Sequence, residues 1–199
     1  MPRPLVQWIH RRRPLLTFVV CVAVVLLGLR DPAPPAELLD PGTGLLFWLA
    51  WALVIFGVAV RVWGSGNLRK NQEITRTGIY RMVRHPLYLG SLAVFLAFFI
   101  TLGNPWIGAA FWAGMVAFVY YPTIMDEEAW LVQHYPEQAT EYAGLPRLFP
   151  NLLRLPDALN TDRFTLRAAR GNLGMRSLWA LVALPVTLEL MRWVEENYR

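Results

Sequence analysis

The chain has 199 residues, enough for one domain and too few for two well-separated ones. Hydrophobic residues make up 55% and charged residues 17%, below the roughly 25% usual in soluble domains, and mean hydropathy is +0.34, which favours a membrane protein. The net charge of +5 rests almost wholly on arginine, and the long apolar runs leave little surface for a basic groove, so no nucleic-acid partner is expected; the single cysteine, Cys21, excludes an intramolecular disulfide and a Cys-rich metal site.

Residues 1–13 form a basic leader (Arg3, then His10-Arg11-Arg12-Arg13), followed by the apolar run Leu15–Leu29. That run is short against the about 20 residues a helical span needs, but tilt and snorkelling arginines extend it. Leader, apolar run and Ala33-Pro34-Pro35-Ala36 also follow the order of a secretory signal peptide. Proline at the would-be cleavage site argues against that, and an uncleaved span is expected. The connector 30–44 is rich in proline and glycine and carries Asp31, Glu37 and Asp40, which fits the outer side. A second span is expected over Leu45–Trp63, with Arg61 near its inner end. The stretch beyond is basic: Arg69, Lys70, Arg76, Arg81 and Arg84. Basic leader and basic loop lie on the same side of two spans, so both read as cytoplasmic under the positive-inside rule.

Leu87–Leu102 reads as a third span and Trp106–Ile124 as a fourth, joined by the breaker turn Gly103-Asn104-Pro105. So short a turn predicts an antiparallel helical hairpin with both open ends on the cytoplasmic side. Residues 147–176 are polar and carry Arg147, Arg154, Arg163, Arg167, Arg170 and Arg176. The last apolar run, Ser177–Leu188, is interrupted by Pro185 and is open between a fifth span and an interfacial helix. The expected fold class is all-α, a polytopic transmembrane helical bundle of four spans with a fifth C-terminal one open. Residues 1–63 hold the leader and two spans, 64–150 a core with the hairpin, and 151–199 a cytoplasmic segment and the C-terminal apolar helix.

The two open ends of the hairpin carry the chemistry. Before the third span, Tyr80, Arg84, His85, Tyr88 and Gly90 fall within eleven residues at a membrane surface, where polar groups are costly unless used. Pro86 suits the first helical position, so His85 and Tyr88 taken alone would be a helix start and an interfacial anchor. Their concentration is what indicates a site. Gly90 removes a side chain about one turn beyond His85, which would let a flat ligand approach the backbone. After the fourth span comes Asp126-Glu127-Glu128. Adjacent helical residues point about 100° apart, so only one of Glu127 and Glu128 can point fully into a site while the other flanks it or pairs with arginine. A carboxylate can accept both hydroxyls of a ribose and also complements a cation. Glu141 and Arg147 read either as a substrate-facing pair or as a surface salt bridge; arginine's planar fork suits a carboxylate or phosphate. The three histidines lie in separate regions without ligand spacing, so no metal is expected. No nucleophile elbow or phosphate-binding glycine loop is present, and Gly64-Ser65-Gly66 is too short a signal to use.

Gly78-Ile79-Tyr80-Arg81-x-x-Arg84-His85-Pro86-x-Tyr88-Leu89-Gly90, a hairpin, Glu127-Glu128, then Glu141-Tyr142-x4-Arg147-x-x-Pro150 resembles the isoprenylcysteine carboxyl methyltransferase family. The related membrane phospholipid methyltransferases share the same catalytic half. The likeness covers residues 60–150, and it implies an S-adenosylmethionine-dependent membrane methyltransferase whose catalytic core is 64–150. It implies that Tyr80, Arg84, His85, Pro86, Tyr88, Leu89 and Gly90, with Glu127 and Glu128, hold the cofactor at the cytoplasmic face of a bacterial inner membrane. Glu141, Tyr142 and Arg147 match catalytic positions near the acceptor. Tyr135-Pro136 and Ala139 stand where the family often has Phe-Gly and a second Tyr, so the cofactor end transfers more safely than the acceptor end. The acceptor implied is a lipid-like or thiol-containing small molecule, taking the methyl on a carboxylate, amine or thiol. Two other classes stay open: a sterol-reductase-like oxidoreductase using a reduced nicotinamide, and a non-catalytic membrane protein retaining the fold.

Overall fold

The computed structural model describes residues 44–69, 73–101 and 104–173, with residues 12, 15, 16, 18–23, 25–27, 186, 187, 190, 192–194 and 197. Most of the leader, the connector 30–43, Lys70, the turn residues 102 and 103, and 174–185 of the last apolar run lie outside the described residues, and with them the question of a fifth span. Among the described residues every regular element is a helix, as the all-α reading requires.

Helix α1 is Leu45–Asn67 and runs through Gly64-Ser65-Gly66 where the sequence reading stopped it at Trp63. The small residues are used for packing: a Cβ on Gly66 would lie 2.2 Å from the Phe164 ring, and one on Gly64 3.2 Å from Leu87. Leu68, in extended conformation, ends the helix. A single 3-10 turn, Gly78–Arg81, then leads to α2, Pro86–Ile100, which has His85 at its N-cap and Pro86 in its first turn. With 15 residues, α2 is about 22 Å long, shorter than the hydrocarbon core of a bilayer.

Helix α3, Pro105–Met115, is capped by Asn104, whose side chain accepts from the Trp106 N–H. It passes through a π turn, Val116–Tyr120, into α4, Tyr121–His134. Pro122 explains the π turn: lacking an N–H and crowding the carbonyl four residues back, it is relieved by widening the turn before it. The chain therefore stays helical from Pro105 to His134, and Asp126-Glu127-Glu128 sit on this helix, not beyond its end. α1 and the run Pro105–His134 are each long and apolar enough to cross a membrane. Shorter helices follow: α5, Pro136–Ala143; α6, Leu155–Asn160, after the 3-10 turn Leu152–Arg154; and α7, Leu166–Leu173.

The larger core joins Ala50, Val54 and Val58 of α1 to Leu92, Ala97 and Phe99 of α2 and Met115, Val119 and Tyr120 of the α3–α4 run. From the first apolar run, Leu16, Val20, Cys21 and Val25 lean on it at helical spacing, while Phe18, Val19, Val22 and Leu26 are exposed. Trp48, Ile55 and Phe118 are likewise exposed apolar side chains on the outside of the bundle, a surface suited to lipid. A second cluster, Val60, Ile79, Tyr80 and Val83 with Leu89 against it, fastens the 3-10 turn to α1 and so fixes the wall on which the polar residues stand.

Candidate active site

The two hairpin ends are tied first through the backbone. The N–H of Arg84 donates to Pro146 O (2.9 Å), that of His85 to Arg147 O (3.2 Å), and that of Asn151 to Met82 O (3.0 Å). The entry to α2 and the loop after α5 therefore lie side by side.

Arg84 completes the seam with its side chain. Its Nε donates to Leu145 O and Nη2 to Ala143 O (2.7 Å), Nη1 reaches Glu128 Oε1 (3.0 Å), and the guanidinium lies 5.5 Å from the centre of the Tyr142 ring. The planar fork thus holds the loop and the carboxylate at once. Glu128 is buried and receives more than Arg84. His85 Nε2 lies 3.1 Å from Oε1, and Arg147 Nε lies 3.2 Å from Oε1 and 3.1 Å from Oε2. Facing a carboxylate, His85 Nε2 is assigned as the N–H donor. Three donors around one buried carboxylate compensate its desolvation, a condition that buried charges require.

Glu127 differs. Its side chain is 41% exposed, its Oε2 accepts from the Tyr88 hydroxyl (2.8 Å), and the same oxygen is 3.9 Å from His85 Nδ1. The two adjacent glutamates face differently: Glu128 is the buried one, paired with arginine, and Glu127 is the more open one. Aromatic rings frame the group: His85 stacks on Tyr88 at 5.6 Å, Tyr142 meets His85 edge-on at 6.2 Å, and Tyr88 meets Tyr120 edge-on at 5.7 Å. The Tyr142 hydroxyl is 3.3 Å from His85 Nε2. Burial pushes the Tyr142 phenol up, and the Glu127 and Glu128 carboxylates add to it; burial, then Glu127 and Tyr88, does the same for Tyr80. Both stay protonated at neutral pH and act as neutral hydroxyls rather than bases.

Four positions, Gly90, Leu89, Pro86 and Glu141, sit differently from their expected use. Gly90 does not open its backbone to a flat ligand: a Cβ there would lie 2.5 Å from Gly57 O and 2.6 Å from Arg61 Cγ, so its bare face is filled by α1. Leu89 packs in the second apolar cluster, and Pro86 is buried under Gly64. Glu141 does not pair with Arg147 and stands away from Glu128. It is bound by Arg76 Nη1 and Arg81 Nη1 (3.1 Å to the latter) and lines a separate cavity of about 260 Å³ with Glu73, Ile74, Thr77 and Arg163. On the short helix α5 Tyr142 and Glu141 are neighbours, so one turns toward His85 and the other toward this cavity.

Residues that the pattern reading did not single out also position the site. Asn67, fully buried at the end of α1, donates to Asp162 Oδ1 (2.7 Å), accepts from the Arg163 N–H (2.9 Å) and packs on Gly78. Arg61 donates from Nη1 to Leu87 O (3.1 Å) and to Ser91 Oγ in the first turns of α2. No local motif marks either; the positive φ of Gly78 (57°), which glycine adopts without strain, is the nearest signal.

A family model, phospholipid methyltransferase, matches residues 39–138, half of the chain, whereas comparison with curated proteins and with solved structures gives no match. The matched stretch contains α1, the Tyr80–Gly90 wall, the hairpin and both Glu127 and Glu128, and it ends before Tyr142 and Arg147. The chain belongs to the phospholipid methyltransferase family of membrane methyltransferases.

Proposed function

We propose that the chain transfers a methyl group from S-adenosylmethionine to a lipid-like acceptor reached from the bilayer. The observation that carries this reading is the contrast between the two adjacent glutamates. Glu128 is buried under three donors, while Glu127 is partly open and accepts one hydrogen bond from a described side chain, that of Tyr88. An open carboxylate beside stacked His85 and Tyr88 fits a ligand that presents a cation and vicinal hydroxyls on an aromatic nucleoside, which is the chemistry of this cofactor. When bound, the cofactor supplies an electrophilic methyl group on a sulfonium.

Under this reading Glu127, Tyr88, His85 and Tyr80 form the cofactor wall, and Arg84 holds that wall to the loop 143–147. Glu128 is a positioning residue that fixes Arg84, His85 and Arg147 in one geometry. Arg147 uses Nε for Glu128, and its two Nη groups have no partner among the described residues, so they can orient an anionic acceptor. An acceptor carboxylate is already ionised and needs no base. An amine or thiol must lose a proton, and of the three glutamates only Glu127 keeps an oxygen without a partner among the described residues, because Glu141 is held by two arginines and Glu128 by three donors. Held reactants and a fixed approach supply much of the rate for such an in-line displacement.

The same reading makes the protein integral to a bacterial inner membrane, with four spans and with the N-terminus and site on the cytoplasmic side. The support is the basic leader and basic loop on one side of two apolar segments. The division at 63/64 and 150/151 goes with it, and neither metal nor nucleic acid enters. Titration calorimetry of folded, detergent-purified protein with S-adenosylmethionine and its demethylated product tests the cofactor. Binding in the micromolar range is expected, and no heat from demonstrably folded protein would sink the reading. Incubation with labelled cofactor and fractionated membrane lipids, small thiols or prenylcysteine analogues then identifies the acceptor.

A further inference from the structure

The segment after Arg147 reads as polar in sequence, yet its apolar side chains are among the most exposed in the protein. Leu153 is 91% exposed and Phe149 83%, and Leu152, Leu159 and Leu166 all exceed half. The exposed Arg154 and Arg163 stand among them, and the exposed Arg167 and Arg170 follow directly. Scattered exposed leucines need no explanation; five large ones in eighteen residues, between arginines, do.

Where the segment is anchored gives its level. Leu148 packs against the apolar cluster of α1, α2 and the α3–α4 run, and the Asn151 N–H donates to Met82 O just before α2 begins. At the other end the Thr165 N–H donates to Gly66 O (3.2 Å), Asn172 Nδ2 donates to Ser65 O (2.9 Å) and Leu68 O (3.1 Å), and Phe164 covers Gly66. The segment is thus tied at one end to the entry of α2 and at the other to the last turn of α1, both ends of apolar helices, which is the height of a membrane surface. Large apolar side chains alternating with arginine at that height match an element lying in the headgroup layer, its arginine stems snorkelling to phosphate. Five arginines against Asp157 and Asp162 over 147–173 favour an anionic surface.

We propose that residues 149–166 form a platform whose exposed leucines and Phe149 insert into the headgroup layer of an anionic lipid surface, on the side of the bilayer that holds the site. This rests on the membrane reading above and deepens it: the platform begins two residues after Arg147, so a lipid-borne acceptor would meet the site without leaving the membrane. The test places a nitroxide at Leu153→Cys or Leu159→Cys in full-length protein carrying Cys21→Ala. The protein is reconstituted in phosphatidylglycerol–phosphatidylcholine vesicles, with Ile55→Cys on the exposed face of α1 as reference. Relaxation by oxygen exceeding that by a water-soluble nickel complex at 153 and 159, at a depth of about 5–10 Å, is expected. Nickel access dominating at 153 and 159 while Ile55→Cys stays in lipid overturns the platform alone. Protection from both reagents overturns it too, showing protein cover by the C-terminal run or a second copy. An aqueous Ile55→Cys label overturns the membrane reading itself. Label depth unchanged in phosphatidylcholine alone overturns the preference for anionic lipid.

Discussion

Gly57 and Gly90 face each other across the α1–α2 crossing, so closely that a Cβ built on either lies 2.5 Å from the other's carbonyl oxygen. Backbone meets backbone there, and neither atom can swing aside as a flexible side chain would. Close approach through small residues is a recurrent way to join helices where lipid removes the hydrophobic drive. Gly57→Ala and Gly90→Ala should each destabilise by about 1–3 kcal/mol through overpacking. Gly114→Ala is the control, because its Cβ would meet nothing within 4 Å, and helix propensity alone would make it neutral or slightly stabilising. Thermal midpoints in detergent, lower for the first two and unchanged or higher for the third, check this.

Glu128 and Glu127 are sequence neighbours with unequal duties, and conservative substitution should separate them. Glu128→Gln removes the charge that Arg84, His85 and Arg147 share in a buried setting. Breaking such a group by one partner costs about 3–5 kcal/mol, and the three donors lose their common orientation. Glu127→Gln touches a half-open group and should cost less than about 1 kcal/mol in stability. Its effect should fall on cofactor affinity, at least tenfold weaker by calorimetry with the thermal midpoint nearly kept. A Glu127→Gln protein that bound the cofactor normally would remove that residue from the site.

The buried phenols give a pH expectation. Burial and the neighbouring glutamates raise Tyr80 and Tyr142 above the ordinary value of 10.0, so the folded state favours their neutral form. Their contribution is fully present below the unfolded value and is lost as pH rises through the folded one. Stability should be flat in these groups through neutral pH and fall above about 10. Tyr142→Phe should flatten part of that alkaline decline and cost about 1 kcal/mol at neutral pH by removing the contact with His85 Nε2. Denaturant midpoints of wild type and variant between pH 7 and 11 decide it.

The residues legible in the sequence were those whose type was informative by itself. Polar side chains crowded at the edge of an apolar run, with a hairpin folding the chain back, were enough to bring Arg84, His85 and Tyr88 to Glu127, Glu128 and Arg147. Continuous apolar runs were enough for α1 and the hairpin. What could not be read was the use of small residues and of lone polar ones. Gly90 looked like space for a ligand and is space for Gly57, because nothing local says what lies opposite a glycine. Glu141 looked like a partner for Arg147, six positions on. The turn Gly144-Leu145-Pro146 instead sends Arg147 to Glu128 and leaves Glu141 to Arg76 and Arg81. Pro122 lies within the run read as the fourth span, and the π turn before it, which no residue pattern announces, absorbs it.

Asn67 gives the last prediction, because it links three segments far apart in sequence. Its Nδ2 donates to Trp63 O (3.2 Å) and Asp162 Oδ1, its Oδ1 accepts from the Arg163 N–H, and a Cβ on Gly78 would lie 2.5 Å from it. It therefore sets the height at which the 3-10 turn Gly78–Arg81 sits on α1, and that turn carries Tyr80 and leads directly to Arg84 and His85. Asn67→Ala takes one of two donors from the Asp162 carboxylate, which keeps the Phe164 N–H, and leaves the Arg163 N–H without its partner, and it should cost about 1–2 kcal/mol. Asn67→Asp should not rescue it, since the new carboxylate would face Asp162. If the turn is positioned as described, cofactor affinity should fall with stability although Asn67 lies outside the wall that Tyr88, His85 and Glu127 form. Thermal midpoint and calorimetric affinity measured on the same preparations test the coupling. An Asn67→Ala protein that is destabilised yet binds with wild-type affinity below its melting range would show that the Tyr80–His85 wall holds its place without Asn67.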